Sequence, residues 1–119
     1  MRVLKPNALG KLRVLDLTQF VSGPYCTKLL ADLGAEVIKV ERPKGGDKGR
    51  YLAPFKGNQK GQEKSLLFQY LNTNKKSITL DLKSDLGKRA FHEILGHCDL
   101  LVENFKPGTL ERIGIDKNT

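Results

Sequence analysis

Arg42 and Lys83 are the two cations of this sequence best placed to hold an anion. Arg42 follows Glu41 where the second strand is expected to end. In alternating strand and helix folds that position meets a ribose, and an arginine there accommodates an additional phosphate. Its guanidinium can fork onto phosphate oxygens or stack on a purine face. The competing reading is a solvated arginine paired with Glu41. Lys83 stands at the end of the third strand and has better geometry than the basic turn Asn74-Lys75-Lys76, which reads equally well as ordinary surface. Ser22-Gly23-Pro24 follows the first strand, either as a turn that aims N–H groups at an anion or as a plain tight turn. A phosphorylated ligand is the reading these residues favour.

Other chemistries find less support. No GxGxxG follows the first strand, where Phe20-Val21-Ser22-Gly23-Pro24 stands instead, so a pyrophosphate laid across glycines is poorly matched. His92 and His97 are off the i,i+4 spacing of a helical metal pair and read as helix surface. Asp81, Asp99 and Glu103 fall at strand edges with no paired carboxylate or neighbouring histidine. No set of nucleophile and base emerges.

The elements that must position these residues can be read from periodicity. Residues 13–18 form a short β-branched and Leu-rich run. Pro24 suits the first helical position, where its missing N–H has no intrahelical partner to lose. Cys26, Leu29, Leu30 and Leu33 recur at helical spacing, Gly34 predicts a left-handed cap, and residues 36–41 form a second strand. Residues 43–64 hold five glycines and two prolines without hydrophobic periodicity, and predict a long binding loop, with a mobile insertion as the alternative. A short helix over 65–71, a strand over 77–82, a helix capped by Ser84 and ended by Gly96, a strand over 100–105 and a last helical turn closed by Gly114 complete the chain. Alternation of this kind predicts an α/β fold with a Rossmann-like, mostly parallel sheet and flanking helices, whose ligands sit outside the carboxyl ends of the strands.

A chain of 119 residues supports one domain with a modest core. Four strands leave a sheet edge open, so the chain reads as an incomplete domain: an extension over 1–11, then the amino-terminal part of a larger domain over 12–119. The net charge is +8, and residues 39–64 carry eight basic against three acidic residues, which argues for an anionic partner near this loop. Cys26 and Cys98 show no CxxC spacing and read as small core residues in a reducing compartment. The N-terminus has no long apolar run, which predicts neither signal peptide nor membrane span. A cytoplasmic setting follows, with a mitochondrial one left open.

Several blocks in order resemble one family. Leu15-Asp16-Leu17-Thr18 through Gly23-Pro24, then Leu30-Ala31-Asp32-Leu33-Gly34-Ala35-Glu36-Val37-Ile38-Lys39-Val40-Glu41, lead to Gly45-Gly46-Asp47 and Asn74-Lys75-Lys76-Ser77-Ile78. Leu80-Asp81-Leu82-Lys83 and Val102-Glu103-Asn104-Phe105-Lys106-Pro107-Gly108 follow. Together they are similar to the amino-terminal part of the class III CoA-transferases, a group that includes formyl-CoA transferase, carnitine CoA-transferase and the α-methylacyl-CoA racemases. The resemblance implies a Rossmann-like large domain, two interlocked ring-shaped subunits, and coenzyme A or acyl-CoA as substrate rather than a permanent cofactor. It implies coenzyme contacts at Val21 and Ser22, at Arg42, at Leu80, Asp81, Leu82 and Lys83, at Asn104, Phe105 and Lys106, and at Arg112. The family's nucleophile, an Asp that attacks the acyl-CoA thioester, lies beyond the region matched here, so no catalytic residue is assigned.

Three functions follow as expectations. The first is the amino-terminal portion of a transferase that moves CoA from an acyl-CoA to a carboxylic acid. The second is an acyl-CoA racemase or isomerase of the same fold, working by proton removal beside the thioester carbonyl. The third is a non-catalytic nucleotide-binding or nucleic-acid-binding fragment, supported by the charge alone, without a helix-turn-helix, stacking-aromatic or zinc pattern. Neither nucleic acid nor membrane is expected as a partner of the first.

Overall fold

A computed structural model describes residues 8–115. Four strands, β1 (Arg13–Asp16), β2 (Glu36–Glu41), β3 (Lys76–Thr79) and β4 (Leu100–Val102), form one sheet in the order β3-β2-β1-β4. Every pairing is parallel, with Asp16 beside Lys39 on one side and Val102 on the other, and Glu41 beside Thr79. Helix α1 (Ser22–Asp32) links β1 to β2, and α2 (Leu66–Leu71) precedes β3. Helix α3 (Asp85–Leu95) links β3 to β4, and the short α4 (Thr109–Arg112) follows β4.

Successive strand residues point to opposite faces. Leu15, Leu17 and Val40 therefore pack with Phe91 and Ile115 on one face, while Val14 and Val37 pack with Ala31 and Ala35 on the other. Helix ends follow local signals. Ser65 and Ser84 accept the N–H groups of Phe68 and Gly87, each three residues on. Gly34 takes φ 108°, and the bonds Gly34 N to Ala31 O and Ala35 N to Leu30 O close α1 in a Schellman motif.

Three strands are shorter than their sequence patterns predict. The first ends at Asp16 rather than at 18, the third at Thr79 rather than at 82, and the fourth at Val102 rather than at 105. A common device lies just past the ends. The side chains of Asp16, Asp81 and Glu103 each accept the N–H two residues on, from Thr18, Lys83 and Phe105, and bend the chain away from the sheet. Asp81 and Glu103, which lacked an evident partner at strand edges, are thus turn formers, whereas Asp99 accepts the N–H of Arg13.

Helix α1 departs from expectation twice. It starts at Ser22, so Pro24 lies in the third position, still within the first turn where an N–H has no intrahelical acceptor. Its buried residues are Pro24, Thr27 and Ala31, whereas Cys26, Leu29 and Leu33 are exposed. The helix is turned so that small residues and the Thr27 hydroxyl meet the sheet, and the expected placement of Cys26 in the core is wrong. Cys98 is partly buried and packs against the larger cluster. His92 is in α3, while His97 lies past its end in the turn before β4.

Two glycines are required by close approach. A Cβ on Gly23 would lie 2.4 Å from the Cβ of Thr18, and one on Gly87 would lie 1.9 Å from the carbonyl oxygen of Asp81. Both sit where a helix starts against the end of a strand.

Candidate functional site

The strand ends converge on a cleft of ≈ 180 Å³. Leu17 just after β1, Val40 from β2, Leu80 and Leu82 after β3, and Phe105 and Ile113 after β4 give it an apolar floor, which is the open end of the larger core cluster. Arg42 and Lys83 stand on its lip, and Gly46 and Asp47 close one side. Pockets for whole drug-sized ligands span roughly 300 to 1,000 Å³, so this cleft suits one moiety of a coenzyme and not the whole.

Six residues expected at the site line the cleft together: Arg42, Leu80, Asp81, Leu82, Lys83 and Phe105. The other five are placed around it. Val21 and Ser22 are exposed at the start of α1. The Asn104 side chain pairs with both backbone groups of Gln19, accepting from N at 3.0 Å and donating to O at 2.8 Å. Lys106 lines a separate depression with Glu103 and Glu111. Arg112 is exposed, and its guanidinium donates to Gly108 O and Thr109 Oγ1. Arg42 is not paired with Glu41; its Nε donates to Gly46 O at 3.0 Å, in the loop it precedes.

Beneath the cleft lies a charged cluster absent from the sequence reading. Asp16, Lys39, Asp47 and Lys75 have side chains at most 2 % exposed. Lys75 Nζ lies 2.9 Å from Asp16 Oδ2 and donates to Pro24 O and Asn72 Oδ1. Lys75 is thus no surface cation of a basic turn. Lys39 Nζ donates to Thr18 O at 2.9 Å and lies 2.7 Å from Asp47 Oδ2, a contact that is ionic and outside hydrogen-bond geometry. Asp47 Oδ1 accepts from Phe20 N and Gly49 N.

Glu41 anchors the outer part. It accepts two bonds from Arg50 and one from Asp47 N. Arg50 lies over the Phe68 ring, 4.0 Å from its centroid, and reaches Glu63. Burial alone would raise the Glu41 carboxyl, but the Arg50 bonds, the Asp47 N–H and the charges of Arg50 and Lys39 outweigh it and bring it to about 2. Asp16 follows the same pattern: burial opposes ionisation, and Lys39, Lys75, Thr18 and Thr27 overcome it, so its pKa falls. Burial pulls Lys75 down, and Asp16 only partly offsets this.

Two expectations change as a result. Of the eight basic residues in 39–64, Lys39 and Arg50 are neutralised internally, so the charge offered to an anion comes from the others, of which Arg42 lines the cleft. The N–H groups of Thr18, Gln19 and Phe20 in the turn after β1 are taken by Asp16, Asn104 and Asp47, so these three do not face an anion. A hint of the cluster was present in the sequence. Lys39 falls at an inward position of a central strand covered on both faces, where an unpaired ammonium would be costly.

Among the described residues no group of three or more His, Cys, Asp and Glu side chains could hold a metal ion. None of their helices is long and apolar enough to cross a membrane.

A four-stranded, all-parallel open sheet with flanking helices and a cleft beyond its carboxyl edge defines an α/β protein of the Rossmann-like class. The chain belongs to CoA-transferase family III, whose model matches residues 9–119. It is 50% identical over 106 residues to a succinyl-CoA:mesaconate CoA-transferase of Haloarcula hispanica, covering 89% of this chain and 26% of the relative. It is 51% identical over 108 residues to a formyl-CoA:oxalate CoA-transferase of Rhodopseudomonas palustris, covering 91% and 24%. Among solved structures, a hypothetical protein from Mycobacterium tuberculosis superposes with a TM-score of 0.80 at 38% identity, over 93% of this chain and 29% of that one. A CAIB/BAIF family protein from Brucella suis gives 0.81 at 33% identity, over the same 93% and 29%. The chain therefore spans about a quarter of the length of the curated relatives it matches.

Proposed function

We propose that this chain is the coenzyme A-binding, amino-terminal portion of a CoA-transferase that moves CoA from an acyl-CoA to a carboxylic acid. The observation that carries the reading is the joint placement of Arg42 and Lys83 on the lip of one apolar cleft at the carboxyl edge of the sheet. The apolar floor suits the flat face of an adenine. The guanidinium of Arg42 suits a fork onto phosphate oxygens, and the Lys83 ammonium adds a point charge on the same lip. Val21, Ser22, Asn104, Lys106 and Arg112 extend the binding surface along the same edge.

Acyl transfer falls to a carboxylate outside this stretch. A carboxylate nucleophile suits it because the anhydride formed on attack keeps the acyl group activated, and CoA returns through an enzyme thioester before leaving with the acceptor. The whole protein is then a cytoplasmic, interlocked homodimer acting on acyl-CoA and a carboxylic acid, with no nucleic acid or membrane partner.

Calorimetric titration of the chain with CoA tests the reading. Replacing Arg42 by Ala should weaken binding by about tenfold or more, the worth of one charge-assisted contact, without moving the urea midpoint. Equal affinity in the two proteins rejects the site assignment, and no binding by the unaltered chain rejects the reading.

A further inference from the structure

Phe20 adopts φ 71°, a left-handed conformation that is an outlier for a bulky side chain. Packing does not account for it, because the residue is 45% exposed. The backbone around it is instead held by side chains brought from distant segments. Asn104 grips both backbone groups of Gln19, and Lys39 Nζ takes the carbonyl of Thr18. The N–H of Phe20 itself goes to Asp47 Oδ1 at 3.0 Å, an oxygen that also accepts Gly49 N at 2.7 Å. Gly49 leaves room for this contact, since a Cβ there would lie 3.3 Å from the Phe20 carbonyl oxygen.

Asp47 is therefore the tightest tie between the loop after β2 and the turn after β1, beside a longer 3.5 Å bond from Lys48 N to Gln19 Oε1. Both segments line the cleft, through Gly46 and Asp47 on one side and Thr18 and Gln19 on the other. A left-handed non-glycine residue persists only where surrounding contacts hold it, and such outliers cluster at binding sites.

We propose that Asp47 is a positioning residue for the coenzyme cleft: its carboxylate holds Phe20 in the left-handed conformation and so sets the spacing of the two walls. This inference rests on the coenzyme A reading above. It requires no contact between Asp47 and the ligand.

The test separates conformational control from a plain loss of stability. Titration with CoA is carried out on the 119-residue chain and on Asp47→Ala, Phe20→Gly and the double variant. Asp47→Ala should weaken binding by about tenfold or more, and Phe20→Gly alone by less than about twofold. In the double variant, glycine adopts the left-handed turn without a side-chain penalty, so affinity should return to within about threefold of Phe20→Gly. A double variant as weak as Asp47→Ala, or an Asp47→Ala protein that binds normally, overturns the proposal. If the charge left on Lys39 prevents Asp47→Ala from folding, Lys39→Met/Asp47→Ala takes its place in the same comparison. Amide hydrogen exchange provides a readout that needs no ligand. Exchange at Phe20 and Gly49 should rise about tenfold or more in the Asp47 variant, with the β1 amides unchanged. Unchanged exchange at Phe20 sinks the clamp, whereas a clamp present in a chain that does not bind CoA sinks the coenzyme reading alone.

Discussion

Arg50 holds both oxygens of Glu41, with Nε 2.8 Å from Oε1 and Nη2 2.8 Å from Oε2. This two-pronged pair ties the loop after β2 to the strand it leaves, and Glu41 is 7% exposed, so solvent screens it little. Its carboxyl is lowered from an ordinary 4.5 to about 2. A depressed acid stabilises the fold fully above its unfolded pKa and loses that contribution as pH falls toward its folded one. Urea unfolding free energy should therefore fall by about 3 kcal/mol between roughly pH 5 and pH 2 on account of this group, with Asp16 adding in the same direction. Glu41→Gln should flatten that part of the profile. Parallel profiles for the two proteins would show that the pair contributes nothing.

Lys75 and Asp16 form a buried ion pair in which each charge depends on the other. Removing one partner strands the other, so Lys75→Met should cost about 3 kcal/mol in urea denaturation. The double variant Asp16→Asn/Lys75→Met should be the more stable of the two, because no uncompensated charge remains. Additive losses would contradict the pairing.

Gly87 lies directly against the turn after β3, with no room for a side chain. A methyl group there meets the Asp81 carbonyl, which Ser84 also uses as an acceptor. Gly87→Ala should destabilise the chain by about 3 kcal/mol, although alanine favours helix more than glycine does. A gain in stability would place α3 further from the sheet than it lies here.

Cys26 is exposed and Cys98 is partly buried, with its thiol pKa raised by burial and by the charge of Asp99. Ellman's reagent on the native chain should show one fast and one slow thiol, differing by about tenfold or more, and Cys26→Ser should abolish the fast phase. A single phase from both thiols would put α1 in the orientation its apolar stripe suggests.

Much of the architecture was legible because its signals are local. The order of strands and helices, the cap at Ser84 and the left-handed Gly34 each depend on residues a few positions apart. The rule that ligands bind beyond parallel strand ends was enough to point to Arg42, Lys83 and Phe105, and the fold gathers these three on one cleft. Strand lengths were less legible, since Asp16, Asp81 and Glu103 end the strands through side-chain bonds that hydrophobic patterning does not register.

By itself, then, the sequence of this chain determined an α/β alternation, the positions of its turns and helix caps, and a set of cations at strand ends. Tertiary structure alone decided which charges are buried, which face of α1 meets the sheet, and which strand-end residues share a cleft. The strand pattern places Lys39 inward but does not name its partner, which is Asp47 from the following loop, and Lys75 reads as a surface lysine until Asp16 arrives from the first strand. A charge is tolerated in the interior only when its partner is delivered there, and delivery over that distance is a property of the closed chain.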